Sequence, residues 1–187
     1  MRIISGKYRG RRIETLDNKN LRPTMGVARE ALFNILSHGQ FAGDNPLLED
    51  CKVLDLFCGC GALAMEALSR GAEHVVLMDI EAAHLNIARS NMETIGETEN
   101  ATFLRGDSSN PPPARFPCNL VFLDPPYRKG LVDKALKSLI KGNWLADGAI
   151  IVIETAKRED VDIPEQLEEL DDRKYGNSRI RIYQWNN

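Results

Sequence analysis

The chain has 187 residues and a formal net charge of −3, and 43% of its residues are hydrophobic, which is typical of one soluble globular domain with a small appendage. No apolar run approaches the roughly 18 residues of a membrane span, and the N-terminus lacks the apolar core of a signal peptide, so we expect a cytoplasmic protein that binds no membrane. The four cysteines form no C-x-x-C pair and have no histidine at metal-ligand spacing, which argues against a metal site.

Positive charge is concentrated at the N-terminus. Residues 1–22 contain seven lysines and arginines against two acids, whereas the rest of the chain is net acidic. Two short β-prone runs, 2–4 and 11–15, are separated by glycines and predict a small hairpin. We therefore divide the chain into a basic hairpin over 1–21 and a main domain over 22–187. A basic stretch of this kind is suited to contacts with phosphate groups. The candidate residues are Arg2, Lys7, Arg9, Arg11, Arg12 and Arg22.

Beyond the hairpin, a helix is predicted over 27–36, and short apolar runs then alternate with helix-forming segments. The predicted strands span 52–57, 74–79, 102–105, 120–124 and 149–154, and the predicted helices span 62–70, 81–95 and 131–141. Two last runs, 167–174 and 179–185, predict a closing antiparallel pair, and the acidic residues of 154–172 are interpreted as a solvated face. This alternation predicts an α/β fold with a Rossmann-like, doubly wound, mainly parallel seven-stranded sheet.

The strand over 52–57 leads directly into a glycine turn. Gly59 and Gly61 lie between this strand and a helix, as in nucleotide-binding βα units, where a missing Cβ lets the backbone approach a ligand. Asp55 can accept hydrogen bonds from a cationic ligand or hold the amides of the loop, because an unpaired carboxylate is expensive to bury. The turn also matches the G-x-G-x-x-G/A dinucleotide fingerprint, with Asp79 at about the distance of a ribose carboxylate. The turn alone therefore leaves the kind of nucleotide open.

Four acids fall at the C-terminal ends of predicted strands: Asp55, Asp79, Asp107 and Asp124. In doubly wound sheets, ligands bind beyond these ends of the strands. One such acid is routine, but four on one rim would each lose stability if buried without a partner. The pattern indicates a ligand-binding rim.

The tetrad Asp124-Pro125-Pro126-Tyr127 follows the strand over 120–124. The two prolines stiffen the loop. An amine on an aromatic base is a poor nucleophile, because its lone pair is delocalised into the ring. A carboxylate and a nearby carbonyl that accept its N–H bonds would localise that lone pair and stabilise the charge that develops during methyl transfer. Tyr127 can stack on the base.

With both motifs placed, the chain resembles the class I S-adenosylmethionine-dependent methyltransferases that carry the D/N-P-P-Y/F/W signature. More closely, it resembles the RsmD family, the bacterial 16S ribosomal RNA guanine-N2 methyltransferases. The matching segments are 1–4, 9–12, 22–24, 29–34, 53–63, 66–72, 124–127 and 175–176. The basic N-terminus and the segments at 22–24 and 29–34 are the most specific part, because other amine methyltransferases share the tetrad.

The resemblance implies S-adenosylmethionine as the cofactor and 16S rRNA or the small ribosomal subunit as the partner of a monomer. The residues implied to bind the cofactor are Asp55, Phe57, Cys58, Gly59, Gly61, Asp79, Ile80, Asp107 and Ser108. In this scheme Asp79 binds the ribose hydroxyls, Asp107 accepts from the adenine amine, and the tetrad holds the target guanine. The six basic residues named above would contact RNA. The chain departs from the family pattern at 26–28, which lacks a usual charge pair, and mildly at Cys58, Cys60 and Asp79.

Two other functions remain open on the sequence alone. An adenine-N6 methyltransferase would use the same tetrad, because it also presents an exocyclic amine. A nicotinamide-dependent oxidoreductase, or a dinucleotide-binding module without activity, would explain Gly59, Gly61 and Asp79 but not Asp107 or the tetrad. Binding of S-adenosylhomocysteine but not NAD would separate these classes.

Overall fold

The alternating segments form one sheet covered by helices in the computed structural model, which describes residues 1–15, 23–41 and 46–186. The α-helices are α1 (Pro23–Leu36), α2 (Ala62–Ser69), α3 (Ala82–Ile95) and α4 (Leu131–Lys141). The strands are β1 (Lys52–Leu56), β2 (His74–Asp79), β3 (Ala101–Arg105), β4 (Cys118–Leu123), β5 (Leu145–Ala156), β6 (Leu167–Tyr175) and β7 (Ser178–Trp185). Short 3₁₀ turns lie at Gly39–Phe41 and Thr98–Asn100.

The seven strands have the order β3-β2-β1-β4-β5-β7-β6. Strands β1 to β5 pair in parallel, and β7 pairs antiparallel with both β5 and β6. This arrangement confirms the predicted doubly wound fold with its closing antiparallel pair. The chain reverses direction across the sheet between β1 and β4, and ligands in such sheets bind in the crevice at that point.

Several element boundaries differ from those expected. Helix α1 begins at Pro23 rather than at 27, because proline is well tolerated in the first turn of a helix, where its missing N–H would have no intrahelical partner. Strand β1 ends at Leu56, because the next residue, Phe57, has a φ of 63°. Strand β5 begins at Leu145, four residues earlier than predicted, because a pairing irregularity lets Leu145 pair with Cys118 before the regular ladder starts at Ile150.

Side chains alternate between two apolar layers on the sheet. Val53, Phe122 and Val152 pack in a layer with α1, α2 and α3, and we call this side the α1 face. Leu54 and Ile151 point the other way and pack with α4, which defines the α4 face. None of the helices in the described part of the chain has the length and hydrophobicity of a membrane span.

The N-terminal hairpin packs onto the α1 face. Ile3 N donates to Arg11 O at 2.9 Å and Ile13 N donates to Met1 O at 2.9 Å, while the side chains of Ile3 and Ile13 are almost completely buried in the core. The hairpin therefore shares the core of the main domain, although its sequence reads as a polar appendage. The division at 21/22 and Arg22 lie outside the described residues.

Candidate active site

A cavity of about 330 Å³ opens on the α1 face at the C-terminal ends of β1, β4 and β5. Its floor is formed by the sheet and by the glycine turn after β1, and its rim includes both ends of the N-terminal hairpin. The lining residues used below are Met1, Thr15, Arg29, Asp55, Phe57, Cys58, Gly59, Cys60, His84, Asp124 and Glu154. The lining extends from Met1 to Ile180, so the structure gathers at one point residues that are up to 179 positions apart.

The glycine turn has one glycine required by packing and one that faces open space. Gly61 has a φ of 77°, and a Cβ there would lie 2.8 Å from Leu77 Cδ2 and 3.3 Å from Ala88 Cβ, so α3 could not pack as closely on β2. A Cβ on Gly59, whose φ is 53°, would meet no described atom within 4 Å. Because Gly59 also lines the cavity, its backbone is accessible to a ligand.

Two of the four predicted rim acids hold this turn in place. Asp55 is buried, and its Oδ2 accepts from Ala64 N at 3.3 Å; burial raises the pKa of its carboxyl to about 7, and nearby Asp79 adds to the increase. Asp79 accepts from Gly59 N at 3.0 Å and from Glu81 N at 2.9 Å. His84 Nδ1 lies 3.1 Å from Asp79 Oδ2. The two carboxylates therefore connect the turn to α2 and to the start of α3.

The remaining predicted cofactor residues lie on the neighbouring rim, outside the cavity lining. Ile80 is 60% exposed at the end of β2. Asp107 is exposed after β3, and two hydrogen bonds lower its pKa, from Ser109 Oγ at 2.7 Å and Ser109 N at 2.9 Å. Ser108 is buried and donates to Met78 O at 3.2 Å. Parallel pairing of Asp79 with Arg105 places these residues on one edge, beside the glycine turn.

The tetrad begins one residue after β4 ends. Asp124 is partly buried and lines the cavity, and burial raises the pKa of its carboxyl well above the usual range, with added repulsion from Glu154 and Asp55. Within the described residues, no donor is hydrogen-bonded to its carboxyl oxygens. Pro125 is buried and Pro126 is exposed, so the two prolines fix the loop between the core and the surface.

Tyr127 is tied to a residue that the sequence did not single out. Its hydroxyl donates to Glu154 Oε1 at 2.7 Å. Glu154 lies on β5, partly buried, and lines the same cavity, so its assignment to a solvated acidic face is wrong. The signal was present, because Glu154 ends a predicted strand just as the four rim acids do. The acidic residues that follow Glu154 in 154–172 led us to group it with them rather than with the acids at the strand ends.

The two cysteines of the glycine turn are uncharged residues of the cavity lining. Cys58 is buried and Cys60 partly so, and burial is the main cause that raises the pKa of both thiols. Thiols with raised pKa values are poor nucleophiles, so the two cysteines act in the turn as small packing residues.

A buried charge cluster connects the cavity to the hairpin. Glu66 is fully buried on α2 and accepts from Ile4 N at 2.8 Å. It forms ion pairs with Arg70 and, at 3.4 Å, with Arg29 Nε. Arg29 lines the cavity, donates to Arg2 O at 2.9 Å and contacts Met1 Sδ. Burial lowers the pKa of the Arg29 guanidinium, and the neighbouring carboxylate of Glu66 opposes that shift.

The basic hairpin residues divide into two groups. Arg2 donates to Gly10 O at 2.7 Å, and Lys7 pairs with Glu97 at 3.4 Å. Arg9, Arg11 and Arg12 are exposed, and no acid of the described residues forms an ion pair with them. These three guanidinium groups are therefore available to a polyanion.

Comparisons with known proteins agree with this geometry. The family model described as "Conserved hypothetical protein 95" matches residues 1–184. The chain is 34% identical to an uncharacterized methylase of Rickettsia prowazekii, over 99% of this chain and 98% of that protein. It is 33% identical to ribosomal RNA small subunit methyltransferase D of Haemophilus influenzae, over 98% of this chain and 93% of that protein. The solved structure named "Putative methyltransferase yhhF from Escherichia coli" superimposes with a TM-score of 0.84 at 31% identity, covering 100% of this chain and 98% of that one.

Proposed function

The chain belongs to the family of ribosomal RNA small subunit methyltransferase D, and from this premise we propose that it methylates the exocyclic N2 amine of a guanine in 16S rRNA. The observation that carries the proposal is the position of the tetrad: Asp124 lines the cavity with no hydrogen-bond donor to its carboxyl among the described residues, and Tyr127 is anchored to Glu154 of the same lining. The oxidoreductase alternative gives these residues no role. In equilibrium binding measurements, which separate the two classes, we expect the protein to bind S-adenosylhomocysteine and not NAD.

The residues of the cavity fit S-adenosylmethionine as the cofactor. This molecule carries cationic sulfonium and amino groups, and the carboxyl of Asp55, which lines the cavity beside the glycine turn, can accept hydrogen bonds from them. Gly59 leaves its backbone open to the ligand. In this proposal the turn holds the methionine part, while Asp79, Ile80, Asp107 and Ser108 hold the nucleoside. When bound, the cofactor supplies an electrophilic methyl group.

The chemistry assigned to this chain's own residues follows from their positions. Asp124 accepts an N–H bond from the target amine, which localises the nitrogen lone pair and stabilises the positive charge that develops on nitrogen. Its raised pKa makes the carboxylate a better acceptor for the proton that the amine must lose. Tyr127, anchored by Glu154, offers its ring as a stacking surface for an extruded base.

Methyl incorporation into small ribosomal subunits that lack the modification, followed by mapping of the modified nucleotide, tests the proposed function. We expect N2-methylguanine in the rRNA. A product methylated at adenine N6 would favour the alternative methyltransferase, and no incorporation into free rRNA or subunits would contradict both.

Replacing Asp79 with alanine is expected to weaken binding of S-adenosylhomocysteine by roughly 1–3 kcal/mol. The variant loses the acceptor proposed for the ribose and also the acceptor that orders the amide of Gly59. Isothermal titration measures the affinity, and thermal unfolding in the absence of ligand measures the effect on the turn. A lower melting temperature with unchanged affinity would show that Asp79 is only a structural acid.

Changing Arg9, Arg11 and Arg12 together to alanine is expected to weaken binding to 16S rRNA and flatten its salt dependence. Each lost phosphate contact lowers the log–log salt slope by roughly 0.7–0.9, so the slope should fall by about 2–3. The three side chains are exposed and Ile3 and Ile13 are retained, so folding and S-adenosylhomocysteine binding should be unaffected.

A matched control removes three positive charges from the opposite side of the sheet. Lys134, Lys137 and Lys141 are exposed on α4, and α4 covers the α4 face rather than the cavity. We expect alanine at these three positions to change the salt slope much less. Equal slopes for the two triple variants would mean that the hairpin does not contact RNA and that only overall charge matters.

A further inference from the structure

Glu154 is placed to do more than anchor a tyrosine. Strands β4 and β5 are parallel, and Leu123 is paired with Ile153. Asp124 and Glu154 each follow by one residue, so they are neighbours across the two strands, and both line the cavity. They are also close enough for Glu154 to raise the pKa of Asp124. The site therefore presents two adjacent carboxyls at the position proposed for the target base.

One oxygen of the Glu154 carboxyl has no hydrogen-bond partner among the described residues. Tyr127 occupies Oε1 at 2.7 Å. Within the described residues, no donor is hydrogen-bonded to Oε2, nor to either carboxyl oxygen of Asp124. Two carboxyls that repel each other are stabilised by a ligand that brings N–H donors to both, because hydrogen bonds to charged acceptors are stronger than those to neutral ones.

The bases differ in whether they provide such a pair of donors. The Watson–Crick edge of guanine carries N1–H and the N2 amine side by side, which are two adjacent donors. Adenine has its N6 amine next to an unprotonated N1, which is an acceptor. Enzymes that act on an extruded base read this edge through hydrogen bonds. Two adjacent acceptors therefore match guanine, whereas adenine would place a lone pair against a carboxylate.

We infer that Glu154 determines the base specificity of the site by accepting the N1–H of guanine while Asp124 accepts from the N2 amine. The inference rests on the proposed function and adds to it the residue that separates guanine from adenine, a distinction the tetrad alone does not make. A site built to accept a particular N–H rejects an analogue without it, because the buried acceptor is then left unpaired.

The test compares guanine with 2-aminopurine, placed at the mapped target position of a synthetic rRNA fragment. 2-Aminopurine keeps the amine at C2 but has no N1–H and no O6. We expect wild type to prefer guanine in kcat/KM by roughly 10- to 100-fold. Glu154→Gln, which has the same size and can donate to an unprotonated N1, should reduce that preference by about tenfold or more. Loss of O6 affects both proteins alike and cancels in the ratio of preferences.

Tyr127→Phe is the matched control, because it removes the hydrogen bond to Glu154 and keeps both the ring and the carboxylate. It should lower turnover on both bases and leave the preference for guanine unchanged. S-Adenosylhomocysteine affinity, measured for each variant, reports whether the cavity is intact.

Three results would overturn the inference. Glu154→Gln could reduce kcat/KM for guanine and for 2-aminopurine by the same factor, which would mean that Glu154 only anchors Tyr127. Tyr127→Phe could reduce the preference for guanine over 2-aminopurine as much as Glu154→Gln does. The wild-type protein could methylate 2-aminopurine and guanine with equal kcat/KM. This result does not depend on whether any variant folds. In each case guanine is still methylated, so the proposed function stands; a wild type that methylates no guanine would instead contradict the proposed function itself.

Discussion

Replacing Asp124 with alanine is expected to lower the rate of methyl transfer about 100-fold or more and to leave the affinity for S-adenosylhomocysteine near that of wild type. Asp124 is proposed to contact the target amine, and its carboxyl has no hydrogen-bond donor among the described residues. Single-turnover methylation of undermodified small subunits measures the rate, and titration with S-adenosylhomocysteine measures the affinity.

The stability of the Asp124 variant separates a catalytic from a structural role. Burial and the neighbouring carboxyls of Glu154 and Asp55 raise the pKa of Asp124, so the ionised group destabilises the empty site at neutral pH. Alanine removes this repulsion, and we expect the melting temperature to be unchanged or higher. Near-normal turnover would refute the catalytic role. Slow turnover together with a lower melting temperature and weak cofactor binding would indicate a structural one.

Replacing Glu66 with alanine is expected to reduce the free energy of unfolding by about 3–5 kcal/mol, since it leaves buried charges without a partner. Glu66 is 0% exposed, and the side chains of Arg29 and Arg70 are each 9% exposed. The variant also removes the acceptor for Ile4 N, so the hairpin should loosen from α2. Urea unfolding followed by circular dichroism measures the change.

An exposed glutamate on the adjacent helix provides the control. Glu93 lies on the exposed side of α3, and alanine there should change the free energy of unfolding by no more than about 0.5 kcal/mol. Glu66→Gln keeps the volume and an acceptor for Ile4 N but not the charge, so we expect an intermediate loss. If Glu66→Ala were as stable as Glu93→Ala, the charge cluster would contribute nothing to folding.

Local pattern alone was sufficient for the order of elements and for the two motifs. The runs over 74–79 and 131–141 match β2 and α4 residue for residue, because buried parallel strands and amphipathic helices each leave a distinct apolar period. Since parallel strands place their C-terminal ends on one edge, acids that end such strands are expected to share a rim. That reasoning located Asp55, Asp79 and Asp124 correctly.

Contacts between distant parts of the chain decided the rest. Glu154 joins the site through its register with β4 and its bond to Tyr127, and the hairpin joins the core through Ile3 and Ile13. The composition of 154–172 suggested a solvated acidic face, and that of 1–21 suggested a polar appendage suited to phosphate contacts. Composition averages over neighbours in sequence, whereas burial and hydrogen bonding depend on neighbours in space. The sequence by itself therefore determined which acids end the strands of this rim, and the tertiary structure decided which acid stands beside Asp124.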